Sequence, residues 1–354
     1  MTNSPVKGVH LRLKDTESTD NLVRYIKEGL APIGVNFMVL EFNPGYKFEC
    51  FPELSEGTFG KEDAKKVGAA AKEAGIKIAP LIMCLGHQGW GSSPNKLLEV
   101  YPEFKETPDV KIGKKEPDKI AGKFINNTPH GEFYCHSWCA SNDGVYKYVL
   151  PMIDEITTDL GTDMVHVGLD EVFSIAEDSC PNCTGKGKAE LFARTVNILH
   201  DYIVKKQGWQ MLMWGDRLNN AKECGYSDWD GDGLGMWRAI DMIPKDIVIC
   251  DWHYDIIESG FPSVGVFMEK GFTVIPAAWR SLKQTKVFWD DAVKQVSDKN
   301  LGKLAGMMVT CWAEASAEYL DKLNTHVKAG LQDEENDDDR GIASSVVYMA
   351  KTVK

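Results

Sequence analysis

Eight short apolar segments, each followed by a longer segment of mixed polarity, constrain the fold of this chain more than any other feature. This alternation is typical of parallel strands that are joined by helices. The predicted strands are Val9–Leu13, Val35–Glu41, Ile76–Met83, Met164–Gly168, Gln210–Trp214, Ile247–Trp252, Phe272–Pro276 and Ala305–Thr310. Apolar residues at three- and four-residue spacing predict helices over Thr19–Ile33, Lys61–Glu73, Gly144–Thr158, Lys188–Lys206, Phe288–Ser297 and Asp333–Val353.

The pattern predicts a single (β/α)8 TIM barrel over residues 1–354. One connection breaks its rhythm, because a long loop at about residues 85–143 separates the third strand from its helix. Long loops on compact domains are often functional, and in a barrel this one follows a strand on the face where active sites are built. We therefore expect the loop to border the site.

Composition excludes several classes of function. The chain has 354 residues, 43% of them hydrophobic, and a net charge of −12, which argues against a nucleic-acid partner. No apolar run is long enough to predict a membrane span. No signal peptide is visible, which fits a cytoplasmic protein or a secreted one whose signal has been removed. The compartment and the oligomeric state stay open.

Polar and aromatic side chains follow nearly every predicted strand. Carboxylates, histidines and tryptophans at these positions form one edge of the barrel, and together they suit a sugar ring. The residues concerned are Glu41, His87, Asp170, Glu171, Trp214, Asp216, Trp252, Tyr254, Trp279, Trp312 and Glu314. A glycan or glycoconjugate is therefore the predicted partner.

The pair Asp170–Glu171 is the centre of this pattern. Neighbouring residues at a strand end point in different directions, so the two carboxylates can perform different tasks at one sugar. A Glu that is walled by tryptophans is expected to have a raised pKa, as the general acid of glycoside cleavage requires. The plainer interpretation is a pair of acids that caps the next helix.

The string HVGLDEV around these acids resembles the H-x-G-x-D-E signature of family 20 glycoside hydrolases, the β-N-acetylhexosaminidases. The resemblance runs along the whole chain and is closest to the hexosaminidase D type. The segments VHLRLKD, VNFMVLEF, IAPLIMCLGH and LMWGDRL are similar to strands of that type in the same order. This resemblance implies an exo-acting enzyme that removes terminal GlcNAc or GalNAc from glycans.

The resemblance also implies retaining, substrate-assisted catalysis. Glu171 is then the acid and later the base, while Asp170 holds the acetamido N–H of the substrate. His87 matches the Gly-His of the family and is expected to bond toward the acid. Glu41 is expected to orient His87 from behind. A loop histidine bonded to backbone and a strand-end salt bridge are the alternatives for His87 and Glu41.

The same resemblance implies a set of substrate-binding residues. The expected walls are Trp214, Trp252 and Trp312, the expected hydroxyl acceptors are Asp216 and Glu314, and Tyr254 is expected to donate to the acetamido oxygen.

The chain departs from the pattern of the family near the seventh strand and in the first. It reads PAAWRS after the seventh strand, which makes Trp279 or Arg280 the expected lining there. Lys7 stands where the family has a hydroxyl-binding Arg, and Arg12 where it has an Asp. These changes leave the identity of the bound sugar open.

Nine cysteines are not spaced as a disulfide framework. Cys180 and Cys183 form a C-x-x-C that binds zinc or forms a disulfide in some proteins, with Cys135, His136 and Cys139 as the nearby partners. Unlinked thiols are the preferred interpretation. No HExxH-like pair appears, and we predict no catalytic metal and no cofactor.

Two other functions stay open. The same scaffold could act on a modified or non-N-acetylated hexose, as the changes at Lys7 and Arg12 permit. It could also be a sugar-binding barrel without hydrolysis, although binding alone does not need an acid with a raised pKa.

Overall fold

A computed structural model describes residues 4–13, 15–42, 45–90, 93–108, 119–120, 123–124, 135–255, 257, 260–299, 302–336 and 338–354. Its centre is a closed barrel of eight parallel strands in which neighbours in the barrel are neighbours along the chain. The strands are β1 (Val6–Arg12), β2 (Phe37–Glu41), β3 (Lys77–Cys84), β4 (Met164–Gly168), β5 (Gln210–Trp214), β6 (Val248–Trp252), β7 (Thr273–Ala278) and β8 (Gly306–Val309). The barrel closes where β1 pairs with β8. The predicted (β/α)8 fold is confirmed.

Burial on both faces explains why the strands read as continuous apolar runs. Every residue of β2, β4, β6 and β8 is buried. One side chain in two enters the barrel, where Val39, Leu81 and Leu212 belong to an inner core. The alternate side chains, such as Met38 and Met213, pack against the surrounding helices. Parallel barrel strands are covered on both sides, so hydrophobic alternation disappears from the sequence.

Helices follow the strands around the outside. They are α1 (Thr19–Arg24, continued by a π-helical turn Tyr25–Leu30), α2 (Lys61–Glu73), α3 (Lys96–Val100), α4 (Tyr146–Leu160), α5 (Lys188–His200, continued by a π-helical turn Asp201–Lys206), α6 (Ala221–Cys224), α7 (Pro262–Glu269), α8 (Leu282–Lys299), α9 (Ala317–Lys328) and α10 (Asp339–Thr352).

The last helix begins later than its sequence predicts. Asp338 caps α10 by accepting the backbone N–H of Arg340, so most of the acidic run lies before the helix. In that run the side chains of Asp333 and Asn336 accept the N–H groups two residues ahead. Asp and Asn often bond to nearby backbone in this way, and these local bonds compete with helix formation.

The long β3–α4 loop packs onto the C-terminal end of the barrel. Its returning segment pairs with the start of the loop. The backbone N–H of Gln88 donates to the carbonyl of His136 at 2.9 Å, and the N–H of His136 donates to the carbonyl of Gly89 at 3.0 Å. The N–H of Trp138 donates to Leu85 at 2.9 Å, and the indole of Trp138 is buried. Residues 91–92, 109–118, 121–122 and 125–134 of this loop lie outside the described part.

Among the described residues, no helix is both long and apolar enough to span a membrane.

Candidate active site

The C-terminal ends of the strands surround a cavity of about 440 Å³. Its lining mixes aromatic, acidic and basic side chains, as the strand-end pattern predicts. The lining residues are Arg12, Glu41, Met83, His87, Asp170, Glu171, Ser227, Trp229, Asp230, Trp252, Tyr254, Asp255, Trp279, Arg280 and Trp312. A cavity of this volume is large enough for a small ligand.

The turn after β4 brings two carboxylates to the mouth of the barrel. Gly168, Leu169 and Glu171 all have positive φ angles, at 67°, 71° and 48°. Such angles are unusual for residues other than glycine, and they often occur at functional sites. The turn leaves Asp170 4% exposed, and Glu171 is partly exposed. Both side chains line the cavity.

His87 lies between these two carboxylates. Its Nε2 is hydrogen-bonded to Oε2 of Glu171 at 3.0 Å, and its Nδ1 lies 3.3 Å from Oδ1 of Asp170. Burial opposes a charge on this ring, but the attraction of Asp170 and the bonds to both acids outweigh it and raise the pKa of His87 well above its usual value. The structure thus brings together three of the four predicted catalytic residues.

Glu41, the fourth, has different partners from the predicted one. Its Oε2 lies 3.1 Å from Nε2 of His10, and its Oε1 lies 3.4 Å from Nε of Arg12. The two ring nitrogens of His87 face Asp170 and Glu171, so Asp170 occupies the place that the sequence assigned to Glu41. Glu41 therefore does not orient His87 as predicted. It forms a strand-end ion pair at the cavity wall, which is the alternative that the sequence offered.

Asp216 supports the site from below and does not line the cavity. Its Oδ2 accepts the backbone N–H of Glu171 at 2.9 Å and Nε of Arg217 at 2.7 Å. Its Oδ1 accepts the indole N–H of Trp252 at 3.3 Å. The side chain is buried, so the prediction of a hydroxyl acceptor is corrected to a residue that positions Glu171 and Trp252.

Aromatic rings form one side of the cavity. Tyr254 stacks on Trp252 with ring centres 4.9 Å apart, and its hydroxyl accepts the indole N–H of Trp312 at 2.9 Å. The ring of Trp279 lies 5.2 Å from that of Tyr254. Burial raises the pKa of Tyr254 well above its usual value, so its hydroxyl keeps a proton that it can donate.

Trp214 is fully buried beneath this wall and does not line the cavity. Its ring lies 5.8 Å from that of Trp312 and 4.5 Å from that of His166. Trp214 thus supports Trp312, and the prediction that it contacts the sugar is corrected.

His166, the first residue of the HVGLDE string, is also inside the barrel. Its Nδ1 accepts the backbone N–H of Gly168 at 3.1 Å, and burial lowers its pKa well below the usual value. A neutral ring therefore supports the turn that carries Asp170. The HVGLDE string thus combines a structural residue, His166, with two residues that line the cavity, Asp170 and Glu171.

Two predicted substrate-binding residues lie outside the cavity. Lys7 is near the start of β1, and its Nζ donates to the carbonyl oxygen of Ala350 at 2.7 Å. Because all barrel strands run parallel, the start of β1 is at the end opposite to the site. Glu314 follows β8 but is exposed and does not line the cavity. We leave both out of the proposed site.

The β5–β6 loop supplies lining residues that the strand ends did not predict. Ser227, Trp229 and Asp230 reach the cavity from this loop. Asp230 accepts the hydroxyl of Ser227 at 2.6 Å, and its Oδ1 lies 3.2 Å from Nδ1 of His253. The cluster SDWDGD was the available signal, since it repeats the acidic and aromatic composition of the strand ends.

Two groups of side chains are close enough to hold a metal ion among the described residues. One is His87, Asp170 and Glu171, whose ligand atoms bond to or face each other. The other contains Glu106, Cys139, Cys180 and Cys183.

Cys135, which the sequence placed with this second group, lies elsewhere. Its Sγ is 3.6 Å from the carbonyl oxygen of Glu171. Glu106 therefore takes the place that the sequence offered to Cys135 or His136.

Comparison with known proteins identifies the family of this chain. The model of the glycosyl hydrolase family 20 catalytic domain matches residues 46–324. Among curated protein sequences, none matches this chain significantly.

Solved structures share the fold at low sequence identity. A β-N-acetylhexosaminidase is 17% identical with a TM-score of 0.64, and the match covers 97% of this chain and 72% of that one. An exo β-N-acetylglucosaminidase from Vibrio harveyi, in complex with N-acetylglucosamine, is 16% identical with a TM-score of 0.62 and coverages of 97% and 54%. A chitobiase from Flavobacterium johnsoniae is 19% identical with a TM-score of 0.59. The match covers 97% of this chain and 51% of the chitobiase, so the chain spans about half the length of that enzyme.

Proposed function

Because this chain belongs to glycosyl hydrolase family 20, we propose that it is an exo-acting β-N-acetylhexosaminidase of the hexosaminidase D type. It removes terminal GlcNAc or GalNAc from glycans with retention of configuration. The observation that carries the proposal is the contact of His87 with both Asp170 and Glu171 at the wall of an aromatic cavity. The N-acetylglucosamine bound by the Vibrio harveyi enzyme is the class of ligand that such a cavity suits.

The proposed reaction begins with proton transfer from Glu171 to the leaving glycosidic oxygen. The acetamido oxygen of the substrate attacks the anomeric carbon as the glycosidic bond breaks, and a cyclic oxazolinium ion forms. Asp170 accepts the acetamido N–H and stabilises the positive charge. Glu171, now a carboxylate, takes a proton from water, and the resulting attack on the anomeric carbon opens the ring and regenerates the acid.

His87 contributes by its charge and position. Its raised pKa keeps the imidazolium form beside the two acids, where it stabilises the carboxylate that forms when Glu171 gives up its proton. Its bond to Oε2 also holds Glu171 in one orientation. His87 thus contacts both carboxylates through the two nitrogens of one ring.

The aromatic wall suits the acetamido group. The faces of Trp252 and Trp312 offer apolar surface to a methyl group and to the C–H face of a sugar ring. The hydroxyl of Tyr254 accepts from Trp312 and keeps its own proton, and we propose that it donates this proton to the acetamido oxygen of the substrate. That bond orients the oxygen for attack on the anomeric carbon.

A second candidate substrate is an N-acetylhexosamine that carries an acidic substituent such as sulfate. Arg280 lines the cavity with its guanidinium 4.1 Å from the ring centre of Trp279, and Arg12 lines it from β1. Guanidinium groups match the geometry of anionic oxygens. A sulfated and an unsulfated nitrophenyl N-acetylglucosaminide separate the two candidates by their kcat/KM values.

The main test is a panel of nitrophenyl glycosides with the wild type and Glu171→Gln. We expect hydrolysis of the N-acetylglucosaminide or N-acetylgalactosaminide but not of the glucoside or galactoside. Glu171→Gln is expected to lower kcat about 10²–10⁴-fold, because proton donation is lost. Glu190→Gln, the same change at an exposed position of α5, is the control and should retain wild-type kcat. Wild-type rates in Glu171→Gln would remove this residue from the acid role.

Participation of the acetamide is tested separately. Asp170→Asn should lower kcat on N-acetylated substrates, and a complex with a thiazoline inhibitor should place the fused ring against Asp170 and Tyr254. Wild-type kcat of Asp170→Asn on the N-acetylglucosaminide would contradict the role assigned to Asp170.

A further inference from the structure

A cluster of metal-ligating side chains lies outside the cavity, between the β3–α4 loop and the loop after β4. We call it the thiol cluster, and its members are Glu106, Cys139, Cys180 and Cys183. One ligand atom from each lies within 4.8 Å of all the others, and all four residues are buried. The Sγ atom of Cys139 is 3.3 Å from that of Cys183 and 3.4 Å from that of Cys180. All three cysteines are free thiols.

The carboxylate of Glu106 has one unused oxygen in this cluster. Glu106 is 0% exposed, and its Oε1 accepts the backbone N–H of Glu177 at 2.9 Å. Its Oε2 is buried and has no hydrogen-bond partner among the described residues. Burying such an acceptor without a partner costs free energy. A cation held by the neighbouring thiolates would satisfy it.

Local hydrogen bonds of the backbone hold the residues of the thiol cluster close together. Cys180 and Cys183 form a tight turn in which the N–H groups of Cys183 and Thr184 donate to the carbonyl of Cys180. Glu106 and Cys139 come from two segments of the other loop, which are joined by a bridge between Lys105 and Trp138. The four ligands therefore arrive in two pairs, each on a structured piece of backbone.

We propose that the thiol cluster binds one zinc ion, with Cys139, Cys180, Cys183 and Oε2 of Glu106 as its four ligands. A tetrahedral ion with bonds of about 2.3 Å to sulfur holds its sulfur atoms about 3.8 Å apart, a few tenths of an ångström beyond the distances between these thiols. The thiols release their protons as they bind the metal. The C-x-x-C spacing is typical of structural zinc sites.

The chemistry of the ligands favours zinc in a structural role. Three sulfur atoms favour a soft or borderline cation over magnesium or calcium. Four protein ligands leave no position for water or substrate, and no cluster residue lines the cavity. Groups around the ligands fit as well, since Glu177 bonds Glu106, and Ser141 lies 3.4 Å from the sulfur of Cys183.

The zinc would connect the loops that carry the acids and the histidine. The Cys139 segment pairs with the start of its loop through Trp138 and Leu85, close to His87. The Cys180 turn belongs to the loop that begins at Glu171. Linking the two loops limits their separation, which should hold the contact between His87 and Glu171. The site itself does not depend on the proposed glycosidase activity.

The test is the metal content of the full-length protein, purified without a metal-affinity column and measured by mass spectrometry of the element. We expect about one zinc per chain, held through gel filtration because structural zinc sites bind tightly. Removing the metal with a chelator should lower the Tm by about 5 °C or more, and added zinc should restore it. Cobalt substitution should give the charge-transfer absorption of thiolate ligands.

Variants separate a built site from adventitious zinc. Cys183→Ser and Glu106→Gln should lower the zinc content, whereas Cys50→Ser, an exposed thiol elsewhere, should leave it unchanged. The zinc content of the wild-type protein tests the proposal even if a variant does not fold. The proposal is overturned if wild-type protein neither contains nor takes up zinc, or if the denatured unreduced protein shows two fewer than its nine thiols. The second result would indicate a disulfide in the cluster.

Discussion

Asp216 shows how one buried carboxylate can organise a site that it does not enter. It joins the backbone of Glu171, the indole of Trp252 and the guanidinium of Arg217, which come from three different parts of the chain. Arg217 is 1% exposed and also donates to three backbone carbonyls of the β5–β6 loop. Burial raises the pKa of Asp216 to about 7, although the charge of Arg217 opposes the rise. Above this pH the carboxylate balances a buried cation and at the same time positions the proposed acid.

At about pH 8, where Asp216 is ionised, Asp216→Asn should lower the free energy of unfolding by about 3 kcal/mol, because the charge of Arg217 then stays buried without its partner. The variant should also lose kcat more than it changes KM, since Asp216 acts through Glu171. Urea denaturation and steady-state kinetics measure the two effects. Asp255→Asn, an exposed acid of the cavity lining, is the control and should change stability by less than about 0.5 kcal/mol. Equal stability of the two variants would contradict the role assigned to Asp216.

At the scale of secondary structure elements, the turn that ends β4 depends on close contact with β3. Gly168 has a φ of 67°, and a Cβ atom at this position would lie 2.7 Å from Sδ and 3.2 Å from Cα of Met83. A side chain at position 168 would therefore force the Met83 side chain to move and would press on the backbone of β3. The third residue of the HVGLDE string is explained by packing between neighbouring strands.

Gly168→Ala should destabilise the protein by about 2 kcal/mol or more, from the positive φ and from the collision with Met83. Gly161→Ala is a matched control, because Gly161 has a φ of 64° and open space around its Cβ position. It should lose only about 1 kcal/mol, the cost of the backbone angle alone. Chemical denaturation of both variants gives the comparison. If Gly168→Ala is as stable as Gly161→Ala, then Met83 and β3 move aside without a loss of stability, and the packing explanation is wrong.

At the scale of the whole molecule, buried charge makes stability depend on pH. His253 is 0% exposed, with Nδ1 3.2 Å from Asp230 and Nε2 3.5 Å from Asp251. Burial opposes its charge, but the two carboxylates outweigh burial and raise the pKa of His253 to about 9 from the usual 6.5. A raised pKa stabilises the fold fully below pH 6.5, and this stabilisation is lost as the pH rises through about 9.

The free energy of unfolding should therefore fall between about pH 6 and pH 9.5, with up to roughly 3 kcal/mol of the fall due to His253. His253→Gln should remove that part, while other buried groups with a raised pKa, among them His87 and Asp216, keep the rest of the slope. Urea denaturation across this range measures it. An unchanged slope in His253→Gln would contradict the buried-charge explanation.

The order of strands and helices could be predicted from the sequence because it depends on local hydrophobic patterns. Each barrel strand is buried on both faces and therefore reads as an apolar run, and predicted Met164–Gly168 and Gln210–Trp214 match the structure at both ends. The residue types at the strand ends were equally visible, since parallel strands bring their carboxyl ends to one edge. The position of Lys7 at the opposite end was also visible in principle, because this residue precedes the predicted start of β1.

Partners between distant segments were decided by the tertiary structure alone. Glu41 bonds His10 and Arg12, Asp216 lies under Glu171, and Glu106 joins cysteines from two loops. Such contacts depend on how the strands tilt and stagger as the barrel closes and on where the long loop returns. A one-residue shift in that register points a side chain to the other face, and local sequence does not determine it.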